Sequence, residues 1–263
     1  MLKKLLKYDL KNIFKGLIVF YSLSLFFALL ARLFLSIENS TIMYVIGQIC
    51  SGVTISMIFN VLINNLMRLW VRFKQNLYGD ESYLTHTLPV DKKTLYLSKI
   101  LTGMVTLFVS ILVIGLSLFI AYYSKENLEI VKNFLLPVAS AYDSTIIKIL
   151  FSFLFVFFFQ FVSALQSGFT GVILGHKMNN AKVGYSILFG FLTYMGTQIF
   201  GLLTIFVSSL FNADLMNLFF TNTMINVDVI KFVICLTIFI YFVTFIVMYY
   251  INLNIFKKGV NVD

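Results

Sequence analysis

Charge is what this chain has least of. Asp, Glu, Lys and Arg make up 12% of its 263 residues, about half the share of an average soluble domain. With 60% hydrophobic residues and a mean hydropathy of +0.93, that scarcity excludes a soluble fold. Apolar runs of about twenty residues recur along the whole length, each enough to cross about 30 Å of hydrocarbon as a helix. Cysteine is nearly absent: Cys50 and Cys235 both fall inside apolar runs, where a small buried hydrophobe is the expected role, so neither a disulfide nor a metal site is expected. The two histidines, His86 and His176, lack the neighbouring carboxylates or second histidine of a metal site and fit interfacial or capping roles. No segment matches the phosphate-cradling G-x-x-x-x-G-K-[ST] loop, and GVILGHK at 171–177 has its glycines and lysine at the wrong spacing. Two prolines and one tryptophan stand against 30 phenylalanines, and with abundant Ile, Leu, Lys and Asn this fits an AT-rich bacterial coding bias.

What is there is an all-α membrane protein, read as one polytopic domain over residues 1–263. The opening MLKKLLKYDLKNIFK, residues 1–15, can place apolar and cationic residues on opposite helix faces, as an interfacial helix does. Six spans follow, at 16–37, 42–67, 100–123, 146–174, 184–211 and 229–253. The first is too long for the core of a secretion signal and has no clear cleavage site, so it is expected to be retained. Residues 124–145 read as a loop of mixed charge, and 212–228 as a moderately apolar loop bounded by Asp214 and Asp228.

Net charge of +9 invites a nucleic-acid reading, but the cations sit in alternate connections. Lys3, Lys4, Lys7, Lys11, Lys15, Arg68, Arg72, Lys74, Lys92, Lys93, Lys99, Lys177, Lys182, Lys257 and Lys258 share one side. The opposite side holds Lys125, Lys132, Lys148 and Lys231. By the positive-inside rule both termini are expected in the cytoplasm of a bacterial cell, the protein being multi-pass in its plasma membrane and the lipid bilayer its first partner, with no nucleic acid. Arg32, near the outer end of the first span, is expected to snorkel or to pair with Glu38.

The one long polar island in the first two thirds of the chain, GDESYLTHTLPVDKKTLYLSK at 79–99, lies on that cytoplasmic side. Asp80 is a good N-cap for a short helix through Glu81, Ser82, Tyr83, Leu84 and Thr85. Leu88-Pro89 stops it, since a residue before proline avoids the helical region. Asp91 then caps a second helix whose first turns, 92–99, run straight into the third span.

The run YGDESYLTHTLPVDKKTLYLSKIL, the amphipathic start and the six spans together resemble the permease subunits of ABC-2 type transporters of low-GC Gram-positive bacteria. The resemblance implies that the island holds a coupling helix seated in a cleft of a separate ABC ATPase subunit. By position that helix is 80–86, from Asp80, Glu81, Ser82, Tyr83, Leu84 and Thr85 to His86, followed by a turn through Leu88 and Pro89. It also implies a second permease, as homodimer or paired heterodimer, and export driven by ATP and Mg bound in the partner, with no cofactor in this chain. The phenylalanine-rich, nearly charge-free spans favour an amphipathic peptide or other hydrophobic cargo.

Inside the spans, Gly47, Cys50, Thr54, Asn60, Asn64 and Arg68 recur at three- and four-residue steps or their multiples and read as one polar stripe turned from lipid. Gln160, Ser163, Ser167, Gly171 and Gly175 form another, with a double small-xxx-small pattern. For Asn60, Asn64, Gln160, Ser163 and Ser167 both helix packing and a translocation path remain open. An intramembrane enzyme needs a nucleophile with its base, paired acids or a metal at membrane depth, and the spans offer no His pair and no carboxylate pair. The other alternative is a structural or sensory membrane protein without transport activity.

Overall fold

The computed structural model describes residues 1–37, 40–141, 144–212, 215–216 and 227–258. Among them there are helices and no strand: α1 (Leu2–Leu35), α2 (Thr41–Leu77), α3 (Ser82–Thr87), α4 (Lys92–Tyr122), α5 (Lys125–Ala141), α6 (Ile146–Gly175), α7 (Lys182–Ser209) and α8 (Val227–Lys257). Six of these, α1, α2, α4, α6, α7 and α8, are long and apolar enough to cross a membrane, and each overlaps one of the six expected spans.

Their side chains are arranged inside out. Ser24, Thr54, Asn65, Thr106, Ser110 and Ser117 are wholly enclosed, while Ile18, Phe26, Ile49, Phe59, Phe108, Ile187 and Leu202 stand exposed. In water that distribution would leave large apolar area unburied. In lipid it satisfies both groups, because hydroxyls and amides find partners between helices and hydrocarbon faces hydrocarbon. The chain is therefore a multi-pass membrane protein.

Two compact units divide it, Met1–Leu128 and the chain from Glu129 on. In the first, α1 packs on α2 and α4, and α2 on α4. One face of α1, through Asp9, Ile13, Leu17, Tyr21, Ser24, Ala28 and Ala31, is buried at steps of three and four. Ser110 of α4 ties the three helices together, 2.8 Å from both the Tyr21 hydroxyl of α1 and Asn65 Nδ2 of α2. Ser24 donates to Ser117 at 3.0 Å, and Ser51 lies 2.5 Å from the Tyr122 hydroxyl.

In the second unit α6 packs against α7 and α8. Gly171 and Gly175 let the backbones of α6 and α7 touch: a Cβ on Gly171 would lie 2.3 Å from the Ser186 carbonyl oxygen, and one on Gly175 2.5 Å from the Ser186 nitrogen. The small-xxx-small pattern is a packing seam. On the α8 side, Thr170 donates to Asn252 Oδ1 at 2.7 Å, and Asn252 returns a bond to the Gln166 carbonyl at 3.2 Å. Gln160 bridges both neighbours, donating to the Tyr194 hydroxyl at 2.6 Å and accepting from Tyr241. Replacing Tyr241 with Phe removes one of these bonds, and the melting midpoint in detergent is expected to fall by an amount equivalent to about 0.6 kcal/mol, the mean worth of a side-chain bond between membrane helices.

Several expectations change. The amphipathic start and the first span, separated at residue 15 in the sequence reading, are one unbroken helix of 34 residues, roughly 51 Å long at 1.5 Å per residue. The cationic first turns thus prolong the span beyond the hydrocarbon. Residues 125–141, expected in a loop, form α5, which buries Leu135 and Ala139 against Ile149 and leaves Phe134 exposed. Its charges Glu126, Glu129 and Lys132 hid that helix from a reading that looked for long apolar runs. Cys50 is buried as expected, but Cys235 is exposed on α8. Arg32 donates to the Tyr123 carbonyl and lies 5.9 Å above the Tyr123 ring. Glu38 lies outside the described residues, as do Asp214 and most of the 212–228 loop.

The polar stripe of α2 also divides. Gly47, Cys50 and Thr54 are buried, whereas Asn60 is exposed, Asn64 half-buried and Arg68 exposed. From Thr54 to Asn60 is six residues, about 600° of rotation at 100° each, and this carries Asn60 well off the buried face. Eleven residues bring Asn65 back onto it. Asn60 and Asn64 instead donate to carbonyls one turn back in their own helix, at 3.0 and 2.9 Å. In α6, Ser163 and Ser167 are buried and Gln160 is half-buried, all in the α6 seam.

Candidate functional site

The polar island folds as a tight corner between α2 and α4. The helix α2 ends at Leu77, and the Gly79 amide closes back on the Lys74 carbonyl at 3.0 Å. The short helix is Ser82–Thr87, two residues later than expected at its start. Its N-cap position is held by Glu81, not Asp80, and no side chain caps it. Asp80 is exposed. Leu88 is extended, at φ −65° and ψ 139°, which is the conformation that Pro89 imposes on its neighbour. Asp91 occupies the N-cap position of α4 without a side-chain bond, and α4 runs unbroken from the corner into the span.

Glu81 sits at the N-cap position, but its carboxylate turns away from the helix end to stronger partners. One carboxylate oxygen accepts from Arg72 Nη1 at 2.7 Å, and the other accepts from Asn76 Nδ2. Asn76 in turn takes a bond from Lys99 Nζ at 2.5 Å, and Lys99 pairs with Asp9 at 2.6 Å. Arg72 Nε lies 3.7 Å from the other oxygen of Asp9. Five side chains from α1, α2, the corner and α4 thus close into one ring, in which Arg72 and Lys99 alternate with Asp9 and Glu81 and the neutral Asn76 bridges Lys99 to Glu81. Asp9 is 4% and Lys99 6% exposed, so each depends on the other for its charge to be tolerated. Below this network Tyr78, Phe73 and Tyr96 pack ring against ring, both ring centres 6.3 Å from that of Phe73. Burial holds the Tyr78 phenol well above its ordinary pKa, so the group stays neutral.

On this fixed base α3 turns its apolar side chains outward. Tyr83 is 76% exposed, Leu84 69% and Leu88 44%, while Ser82 is buried and Thr85 bonds back to the Glu81 carbonyl at 3.0 Å. His86 Nε2 lies 3.1 Å from the carbonyl of Leu77, the last residue of α2, a capping role. His176 does the same at the end of α6, with Nδ1 2.8 Å from the Val172 carbonyl. The structure therefore brings Glu81, Ser82, Thr85 and His86 against the helix ends and leaves Tyr83, Leu84, Leu88 and Pro89 facing out. Asn60 and Asn64 lie elsewhere on α2, and Gln160, Ser163 and Ser167 belong to the second unit.

No protein family, curated protein or solved structure matches this chain. What the corner can do follows from its own residues.

Sequence reading missed Asp9 and Lys99 as a pair. The signal was present: Asp9 stands four residues before Ile13 and eight before Leu17, on the buried face of α1, and a carboxylate on such a face requires a cation. Nothing in the sequence says which of the many lysines supplies it.

Proposed function

We propose that this chain is the transmembrane permease subunit of an ABC-2 type exporter, and that α3 is the surface through which a separate ABC ATPase subunit moves it. The observation that carries the reading is the exposed Tyr83–Leu84 pair on a short helix whose base is tied by Glu81 to Arg72, Asn76 and, through them, Asp9 and Lys99. An apolar knob on a rigid mount suits a partner's cleft, and tyrosine is among the usual anchors of such contacts. Displacing α3 would tilt α2 through Arg72 and Asn76, α1 through Asp9 and α4 through Lys99, so a push at one corner would reach three spans together. The excess of Lys and Arg in the connections on this side supports a cytoplasmic location for this corner and both termini. A second permease copy would complete the path, and its cargo would be an amphipathic peptide or another hydrophobic compound.

Replacing Tyr83 and Leu84 together with Asp tests this. Both side chains are exposed, so the melting midpoint should shift by no more than about 0.5 kcal/mol equivalent. Co-purification of an ATP-hydrolysing subunit with the membrane-extracted protein, and cargo-stimulated hydrolysis, should both be lost. Undiminished association and stimulated hydrolysis in the double variant would refute the coupling role. Accumulation of labelled peptide inside cells carrying the intact complex would refute export.

A further inference from the structure

The first unit holds an open cleft of about 280 Å³ between α1 and α2, on the flank of the buried ion network. Five polar side chains line it: Asn12 from α1, and Asn64, Arg68, Arg72 and Gln75 from α2. Met67 and Val71, both about half exposed, form its apolar wall.

Its depth follows from the sequence of the two helices. In α1 the lysines end at Lys15, and the next cation is Arg32; in α2 no charged residue precedes Arg68. The two helices meet at this level, because the Arg68 guanidinium carbon lies 5.9 Å over the Phe20 ring and the group covers Gly16, where an added Cβ would fall 2.0 Å from Nη1. The cleft thus sits where the apolar spans give way to the basic ends, the level of the lipid headgroups.

Charge bookkeeping distinguishes its two arginines. Arg72 is compensated by Glu81 and Asp9. Arg68 has no carboxylate within ion-pair distance among the described residues and is fixed by the ring and the glycine beneath it. A planar guanidinium that shares its cleft with the amide side chains of Asn12, Asn64 and Gln75 suits a phosphate oxygen pair. The apolar wall on the lipid side suits the first carbons of an acyl chain.

We propose that this cleft binds the phosphate of an anionic phospholipid, in the leaflet on the side of the termini, with Arg68 as its principal ligand and Asn12, Asn64 and Gln75 as hydrogen-bond donors. The shared chemistry is a phosphate ester, and the apolar wall assigns it to a membrane lipid over a soluble one. The site does not depend on transport activity.

The test uses the full-length protein in detergent, titrated with phosphatidylglycerol or phosphatidylcholine and read by native mass spectrometry. One phosphatidylglycerol should be retained at least tenfold more tightly than phosphatidylcholine. Arg68→Gln should abolish that preference, and Asn64→Leu, which removes the amide donor at nearly unchanged shape and charge, should weaken it by a similar factor. Removing two exposed charges at the same end, Lys3→Gln with Lys4→Gln, should leave it within twofold. If the lysine pair costs as much as Arg68, binding is diffuse attraction and the site is wrong. If millimolar inorganic phosphate or glycerol 3-phosphate displaces the lipid completely, the ligand is a soluble phosphate and the lipid assignment fails. Melting midpoints of all variants accompany the titration. Should Arg68→Gln unfold, Asn64→Leu decides: retention of the preference in a folded Asn64→Leu protein overturns the proposal.

Discussion

Asp9→Ala is expected to destabilise the protein by about 3–5 kcal/mol, the cost of leaving a buried charge without its partner. Lys99 is buried within α4, and its ammonium has two contacts, Asp9 and the Asn76 oxygen. Removing the carboxylate leaves the cation with one neutral acceptor, and Arg72 loses half of its compensation as well. Denaturation of the purified protein in detergent, followed by the fluorescence of the single tryptophan, measures the loss. Trp70 lies on α2 two residues from Arg72, so it reports on the right region.

The double variant Asp9→Leu with Lys99→Met separates a pairing effect from simple loss of volume. Replacing both charges by apolar groups of similar size removes the desolvation penalty together with the attraction, and most of the lost stability should return. If the double variant is as unstable as Asp9→Ala, packing and not charge compensation explains the single one. Even with stability restored, the corner would lose its ionic link from α3 to α1, so cargo-stimulated hydrolysis would stay low if the proposed function is right.

Gly171→Ala should have the next largest effect, about 1–3 kcal/mol, as overpacking does in a close-packed core. The new methyl would meet three backbone atoms of α7, at 2.3 Å from the Ser186 carbonyl oxygen, 2.6 Å from the Gly190 nitrogen and 2.7 Å from its Cα. Backbone cannot rotate away as a side chain can, so the whole of α7 must move outward. Gly196→Ala is the matching control: it lies in α7 with nothing within 4 Å of the added methyl. There the gain in helix propensity, up to about 1 kcal/mol, should leave stability unchanged or raised. Equal losses at the two positions would show that the seam is not tight.

Six spans were legible in the sequence because hydrocarbon thickness fixes the length of an apolar helix, and residues such as those of 146–174 have no other way to be stable. Pro89 marked the end of the short helix for an equally local reason. The helix cap went wrong because local propensity favours Asp80, while Glu81 is held by Arg72 nine residues earlier, a partner that cap rules do not consider. The stripe of α2 went wrong because steps of three and four accumulate error, so Asn60 was placed on the core face that belongs to Asn65.

By itself, then, the sequence determined which segments are apolar enough to cross a membrane as helices and where the cations gather, but not the charged helix at 125–141. These depend on composition and on spacing along one helix. The tertiary structure decided which side chains meet: Asp9 with Lys99, 90 residues apart, Asn65 with Ser110, Gln160 between two tyrosines, and Arg68 over Phe20 and Gly16. Side chains of one type are interchangeable to a pattern in the sequence, and only helix packing selects, from twenty cations, the one that a buried carboxylate will face.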